Sequence, residues 1–180
     1  MAFLNRSMML KKAAEAKIEL HPLLKDREVP LSVRIAYLQG CVLAVLLDDA
    51  VVSSDEKRQI KEVGKSLQLS DEDIANGITV VQGLKSDEDQ ATFLDELHRT
   101  LGDIQVFKFF MTDFERLMLK PNGVSDEAKK ELDEVGNWVG GVGDWRQLIR
   151  DYEAKLKAEE DAKEAEKIKQ EAERLVDPSI

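Results

Sequence analysis

Four carboxylates, Asp48, Asp49, Asp55 and Glu56, crowd the run Leu46-Leu47-Asp48-Asp49-Ala50-Val51-Val52-Ser53-Ser54-Asp55-Glu56. An oxygen-rich turn of this kind can hold a hard divalent cation, Mg²⁺ or Ca²⁺, on its carboxylate and carbonyl oxygens. The spacing is not that of an EF-hand loop, which needs acids at alternating positions and a central glycine. The same residues also read as helix capping: Ser53 and Glu56 stand at capping-box spacing, and Asp55 answers the helix dipole in a first turn. Capping leaves Asp48 beside Asp49 unexplained, because adjacent acids at a helix C-terminus oppose the dipole. That conflict is the physical argument for a cation or a basic partner at this turn.

Little else in the chain suggests chemistry. His21 precedes Pro22, and His98 lies between Leu97 and Arg99; neither has a second histidine or a cysteine at zinc-ligand spacing. The single cysteine, Cys41, stands in an apolar run and reads as a packing thiol. Gly140-Gly141-Val142-Gly143 lacks the lysine of a phosphate loop and a preceding strand, so it reads as a helix stop. No Ser-His-acid or Cys-His arrangement is suggested, and a metal-dependent hydrolase would need a second ligand set or a general base. The expectation is a protein that binds and is not an enzyme.

These residues must be positioned by helices. Apolar residues recur at helical spacing throughout, and no segment keeps a strand alternation for more than a few residues. The spacing predicts helices over Leu4 to Leu20, Leu31 to Asp48, Ser54 to Leu67, after Ser70, after Ser86, over Asp103 to Lys120, after Ser125, and over 144–176. Ser70-Asp71-Glu72-Asp73 and Ser86-Asp87-Glu88-Asp89 each place a hydroxyl at the N-cap and acids in the first turn, so much of the acidity needs no ligand.

The Leu31 helix is expected to be central, because its last two turns are apolar on every side. Ile35, Leu38, Val42, Val45 and Leu46 form its expected stripe. The Asp103 helix, with Phe107, Phe110, Met111, Phe114, Leu117 and Met118 on one side, is the second central element. The helix after Ser125 carries Leu132, Val135, Trp138 and Val139. A pattern of apolar helix, polar turn and Ser-capped helix occurs over 35–70 and again over 104–141, which suggests an internally duplicated bundle.

Three segments follow from composition: 1–30, an N-terminal helix packed on or beside the body; 31–143, the helical body; and 144–180, a long charged helix. In the last, acid-before-base pairs four apart (Asp151 and Lys155, Glu153 and Lys157, Glu159 and Lys163) support a solvated helix. Trp145, Leu148, Ile149, Tyr152 and Leu156 suffice to dock its first turns on the body, and beyond them Ala158, Ala165, Ile168, Ala172 and Leu175 leave open a partner-binding or self-associating face, and hence a homo-oligomer. The formal net charge is −10, and residues 35–143 alone carry 11 Lys and Arg against 21 Asp and Glu. Such a body repels nucleic-acid phosphates and attracts a basic protein surface or cations. With no disulfide framework, no apolar run of about 18 residues and no secretory signal at the start, a cytoplasmic protein without membrane insertion is expected.

The run Leu47 to Glu56, followed by Ile60, Val63, Gly64, Leu67 and Leu69-Ser70-Asp71-Glu72, resembles the bacterial tellurite-resistance protein B (TerB-like) family. That family's pattern is an apolar helix, Ala-Asp-Gly, an aliphatic-Ser step, a glutamate seven residues after the aspartate, and a downstream Leu-Gly-Leu-Ser. Asp49 and Glu56 match the seven-residue spacing, and Asn122-Gly123-Val124-Ser125-Asp126-Glu127 resembles the second-half turn. The resemblance implies an all-α, internally duplicated helical bundle in a stress-response or phage-defence setting. It also implies a protein-interaction role, with acidic residues proposed to bind divalent metal and no established catalysis. Ala50 stands where glycine is usual, and the second turn has Asn122 for aspartate and no matching glutamate, so any metal site rests on Asp48, Asp49 and Glu56, with Asp55 beside them.

Overall fold

A computed structural model describes residues 19–47, 52–119 and 125–176, and every regular element in them is helical. A 3₁₀ turn, Pro22–Leu24, precedes α1 (Leu31–Leu46), α2 (Ser54–Ser66), α3 (Asp71–Gln82), α4 (Asp87–Leu101), α5 (Ile104–Met118), α6 (Asp126–Gly140) and α7 (Trp145–Val176). Of the helix expected over 4–20, only residues 19 and 20 are described, and they are not helical. Among the described residues no helix is long and apolar enough to cross a membrane. The chain divides into two compact parts, Met1–Gly143 and Asp144–Ile180.

Serine hydroxyls set four of the helix starts. Ser53, Ser70, Ser86 and Ser125 each accept a backbone N–H three residues on, at 3.1 to 3.2 Å, and Asp103 accepts that of Gln105 at 2.9 Å. Each bond supplies a partner to an N–H that the first turn would leave unpaired, worth about 1 kcal/mol. At the end of α2, Leu69 N–H reaches Gly64 O and Gln68 N–H reaches Lys65 O, a Schellman closure. The left-handed position is taken by Gln68, at φ 59°, where glycine would be unstrained. Arg34 holds this turn, its Nη1 donating to the carbonyls of Leu67 (3.1 Å) and Gln68 (3.3 Å). Glycine does occupy the corresponding place after α6, where Gly141 has φ 66°.

α1 is the hub of the first part and packs against α2, α3, α4 and α5; α4 and α5 each also pack on α6. The expected single stripe understates it, because from Ala36 to Val45 only Gln39 escapes full burial. Ile35 and Leu46, placed on that stripe by spacing, are half-buried, since they lie where the neighbouring helices no longer surround α1. The α5 aromatic stripe is buried as expected, with Phe107, Phe110, Met111 and Phe114 fully enclosed.

The two central helices cross at Gly40. A β-carbon built there would lie 2.4 Å from Phe110 Cε2, so only a hydrogen lets the ring lie against the α1 backbone. Phe110 in turn stands edge-on to Tyr37 at 5.5 Å between centroids and tilted against Phe114 at 5.6 Å. Substitution Gly40→Ala is therefore expected to destabilise the fold by about 1 to 3 kcal/mol through overpacking, although alanine is the better helix former. Urea unfolding measures it, and a variant as stable as the parent would show that the crossing is looser than this.

α7 is 32 residues long, or about 48 Å at 1.5 Å per residue. Residues 153–176 are exposed throughout, Ile168 at 58% and Leu175 at 85%. Its own side chains support it: Gln147 Nε2 donates to Asp151 at 2.7 Å, and Arg146 lies over the Trp145 ring at 4.3 Å.

Candidate functional site

Of the four acids singled out by spacing, Asp48 and Asp49 lie outside the described residues. Of the other two, Glu56 caps a helix and Asp55 forms an ion pair. Glu56 Oε1 accepts the Ser53 N–H at 3.2 Å while Ser53 Oγ accepts that of Glu56 at 3.2 Å, the complete capping box. Asp55 meets Arg58 at 3.3 Å one turn along, with both side chains largely in solvent. Among the described residues no group of three or more His, Cys, Asp or Glu side chains could hold a metal ion.

The structure instead builds a polar cluster at Asp113, which sequence reasoning left unassigned. Asp113 Oδ2 accepts the Tyr37 hydroxyl at 2.6 Å and His21 Nε2–H at 2.7 Å, and Oδ1 accepts Arg116 Nη2 at 3.1 Å. The histidine's protonation follows from its partners. Leu23 N–H donates to Nδ1 at 3.1 Å, so the ring proton sits on Nε2, facing the carboxylate. Burial alone would raise the Asp113 pKa. The hydrogen bonds from His21 and Tyr37, with that from Arg116, outweigh burial and hold it below the usual carboxylate value. Burial pushes the Tyr37 phenol well up, helped by Cys41 and Asp113, so Tyr37 remains a neutral donor.

What this cluster can do chemically is limited by its saturation. Both ring nitrogens of His21 are engaged, leaving no lone pair to act as a general base. Cys41, wholly buried, has its pKa pushed well up by burial and then by Asp113, so it stays a thiol, in keeping with a packing role. No buried side-chain nitrogen or oxygen among the described residues lacks a partner. The cluster is a clasp: His21 also donates its backbone N–H to Ser66 O at 2.9 Å and sets its ring edge-on to Tyr37 at 5.1 Å. It thereby joins the segment before α1 to α1, α2 and α5. A cavity of about 230 Å³ lies beside it, lined in part by Phe109 and Thr112.

Among the described residues, a groove lies over the opposite end of α1. Of about 450 Å³, it runs over Leu43 and Leu47, between Phe93 and Leu94 of α4 and Val135 and Trp138 of α6. Asp87, Glu131 and Glu134 also line it. A second hollow of about 290 Å³ shares Leu43, Leu47 and Gln90 with it and continues to Leu84 and Lys85 beyond α3. Trp138, expected from its spacing to face the core, is 42% exposed, and its indole N–H donates to Asp95 Oδ1 at 2.8 Å. That bond ties α6 to α4 beside the groove and holds a large aromatic side chain partly in water. The sequence signal that could have located the groove is the all-round apolarity of the end of α1, more than its neighbours cover.

The depressed Asp113 pKa fixes the sign of a pH effect. A carboxylate whose folded-state pKa lies below its unfolded value, about 4, stabilises the fold above that value and loses the contribution as pH falls through the folded pKa. Asp113→Asn is expected to cost about 1 to 3 kcal/mol at neutral pH, because it leaves buried donors imperfectly paired. Its deficit against the parent should shrink as pH falls below about 4. Urea unfolding across that range checks this, and a deficit that widens toward acid would contradict it. Comparison of the chain with family models, curated proteins and solved structures finds no match.

Proposed function

We propose that this protein is a non-enzymatic helical interaction module that receives an apolar helical segment of a partner protein in the groove over the end of α1. One observation carries the reading: a groove floored by the hub helix itself is walled by Trp138, a large aromatic side chain 42% exposed and oriented by Asp95. Tryptophans beside apolar pockets are recurrent binding anchors, and a preordered one loses less entropy on docking. An apolar face on a partner helix, with residues at i, i+3, i+4 and i+7, is the complementary shape. A cytoplasmic role in stress response or phage defence, as the resemblance to the tellurite-resistance B family implies, belongs to the same proposal. Divalent-cation binding at the 48–56 turn, on Asp48, Asp49, Asp55 and Glu56, belongs to the proposal as well, beside the capping box that Glu56 completes and the ion pair of Asp55 with Arg58.

A second reading rests on α7, where Ile168, Ala172 and Leu175 stand at i, i+4 and i+7 on a helix exposed throughout this stretch. Self-association or attachment to a larger assembly would bury that edge. One experiment separates the two. Titration with a synthetic amphipathic peptide, leucine at i, i+3, i+4 and i+7 and glutamine or alanine elsewhere, is expected to shift the methyl NMR signals of Leu43, Leu47, Leu94 and Val135. Trp138→Ala should weaken binding about thirtyfold, as for an anchor worth about 2 kcal/mol. Shifts confined to Leu156, Ile168 and Leu175, or no shifts, would reject the groove.

A further inference from the structure

Resting on the groove reading above, we propose that the partner segment is cationic: an amphipathic helix whose lysines or arginines, flanking its apolar face, meet Asp87, Glu131 and Glu134. Charge complementarity argues for it. Among the described residues, the three ionisable side chains lining the groove are all carboxylates, contributed by α4 and α6. Lys130 lies 4.0 Å from Glu134 with both side chains largely in solvent, and Lys85 lines the adjoining hollow. The helix starts on either side add more negative charge, Glu88 and Asp89 on α4 and Asp126 and Glu127 on α6.

Asp87 lies in the first turn of α4, where the dipole favours it, but Glu131 and Glu134 stand mid-helix on α6, beyond the first turn. They lie one turn apart on the side of α6 that borders the groove, adding like charge where apolar residues leave room for a ligand. An acidic helix or a nucleic-acid phosphate would meet repulsion there, whereas a basic helix gains attraction and faster encounter. The apolar floor supplies the area, and the acids select the sign.

The test compares three peptides with the same leucine face and lysine, glutamine or glutamate on the flanks, each titrated into the full chain and followed by the groove methyl signals. The lysine peptide is expected to bind about tenfold more tightly than the glutamine one, as for three exposed pairs. The glutamate peptide should bind more weakly than either. The double variant Glu131→Gln/Glu134→Gln should bring the lysine peptide most of the way to the glutamine value, and added salt should do the same. Equal affinity for all three at the groove would overturn the charge proposal while leaving the groove reading intact. A lysine peptide that binds tightly to the double variant, or shifts signals elsewhere, would reduce the effect to general attraction by an acidic chain and overturn it. Failure of all three would remove the groove reading as well.

Discussion

A single carboxylate, that of Asp113, closes the bundle around its hub. It is partly buried, and a bare charge there would be costly, so its oxygens must be satisfied by donors that reach it from other elements. Tyr37 reaches from α1 and His21 from the segment ahead of it, while Arg116 comes from the next turn of α5 itself. Because His21 also holds Ser66 and Leu23, one acid fixes the relative placement of α1, α2, α5 and the entering chain. Donors of this kind to an ionised acceptor are the stronger class of hydrogen bond, and each is directional. The clasp therefore sets geometry that apolar packing alone would leave adjustable.

The asymmetry of α1 follows from that closure. Around Tyr37 the helix is enclosed by the clasp and by the aromatic contacts running from His21 through Tyr37 and Phe110 to Phe114. Around Gly40 the ring of Phe110 lies so close that no side chain fits. One and two turns later the same helix still carries leucines, yet Leu46 and Leu47 are only half-buried. Apolar surface exposed at the end of an otherwise buried helix costs roughly 25 cal/mol per Å² relative to covering it, and such surface marks contact sites. Among the described residues the groove thus follows from the partly covered end of α1, and Trp138, tied to Asp95, borders it.

Much of this fold was legible in the residues. Serine followed by acids located the starts of α2, α3, α4 and α6 because capping is a local interaction, complete within one turn. The aromatic spacing of α5 identified its buried side, and the continuous apolarity of α1 marked it as central. The clasp was not legible, since His21 and Asp113 are 92 positions apart and nothing in either neighbourhood announces the other. Trp138 was misjudged for a related reason: spacing puts it beside Val135 and Val139, but only the packing of α4 against α6 decides how much of its ring is covered. Of the acids near this turn, Glu56 completes the capping box that its spacing from Ser53 announced, and Asp55 pairs with Arg58 one turn along.

Intermolecular nuclear Overhauser effects test most directly whether a partner helix occupies the groove over the end of α1. With the leucine and lysine peptide bound, contacts are predicted between its leucine methyls and both the Trp138 indole protons and the Leu47 methyls. Contacts found only to Ile168 and Leu175 of α7 would contradict the account and move the interaction surface to the long helix.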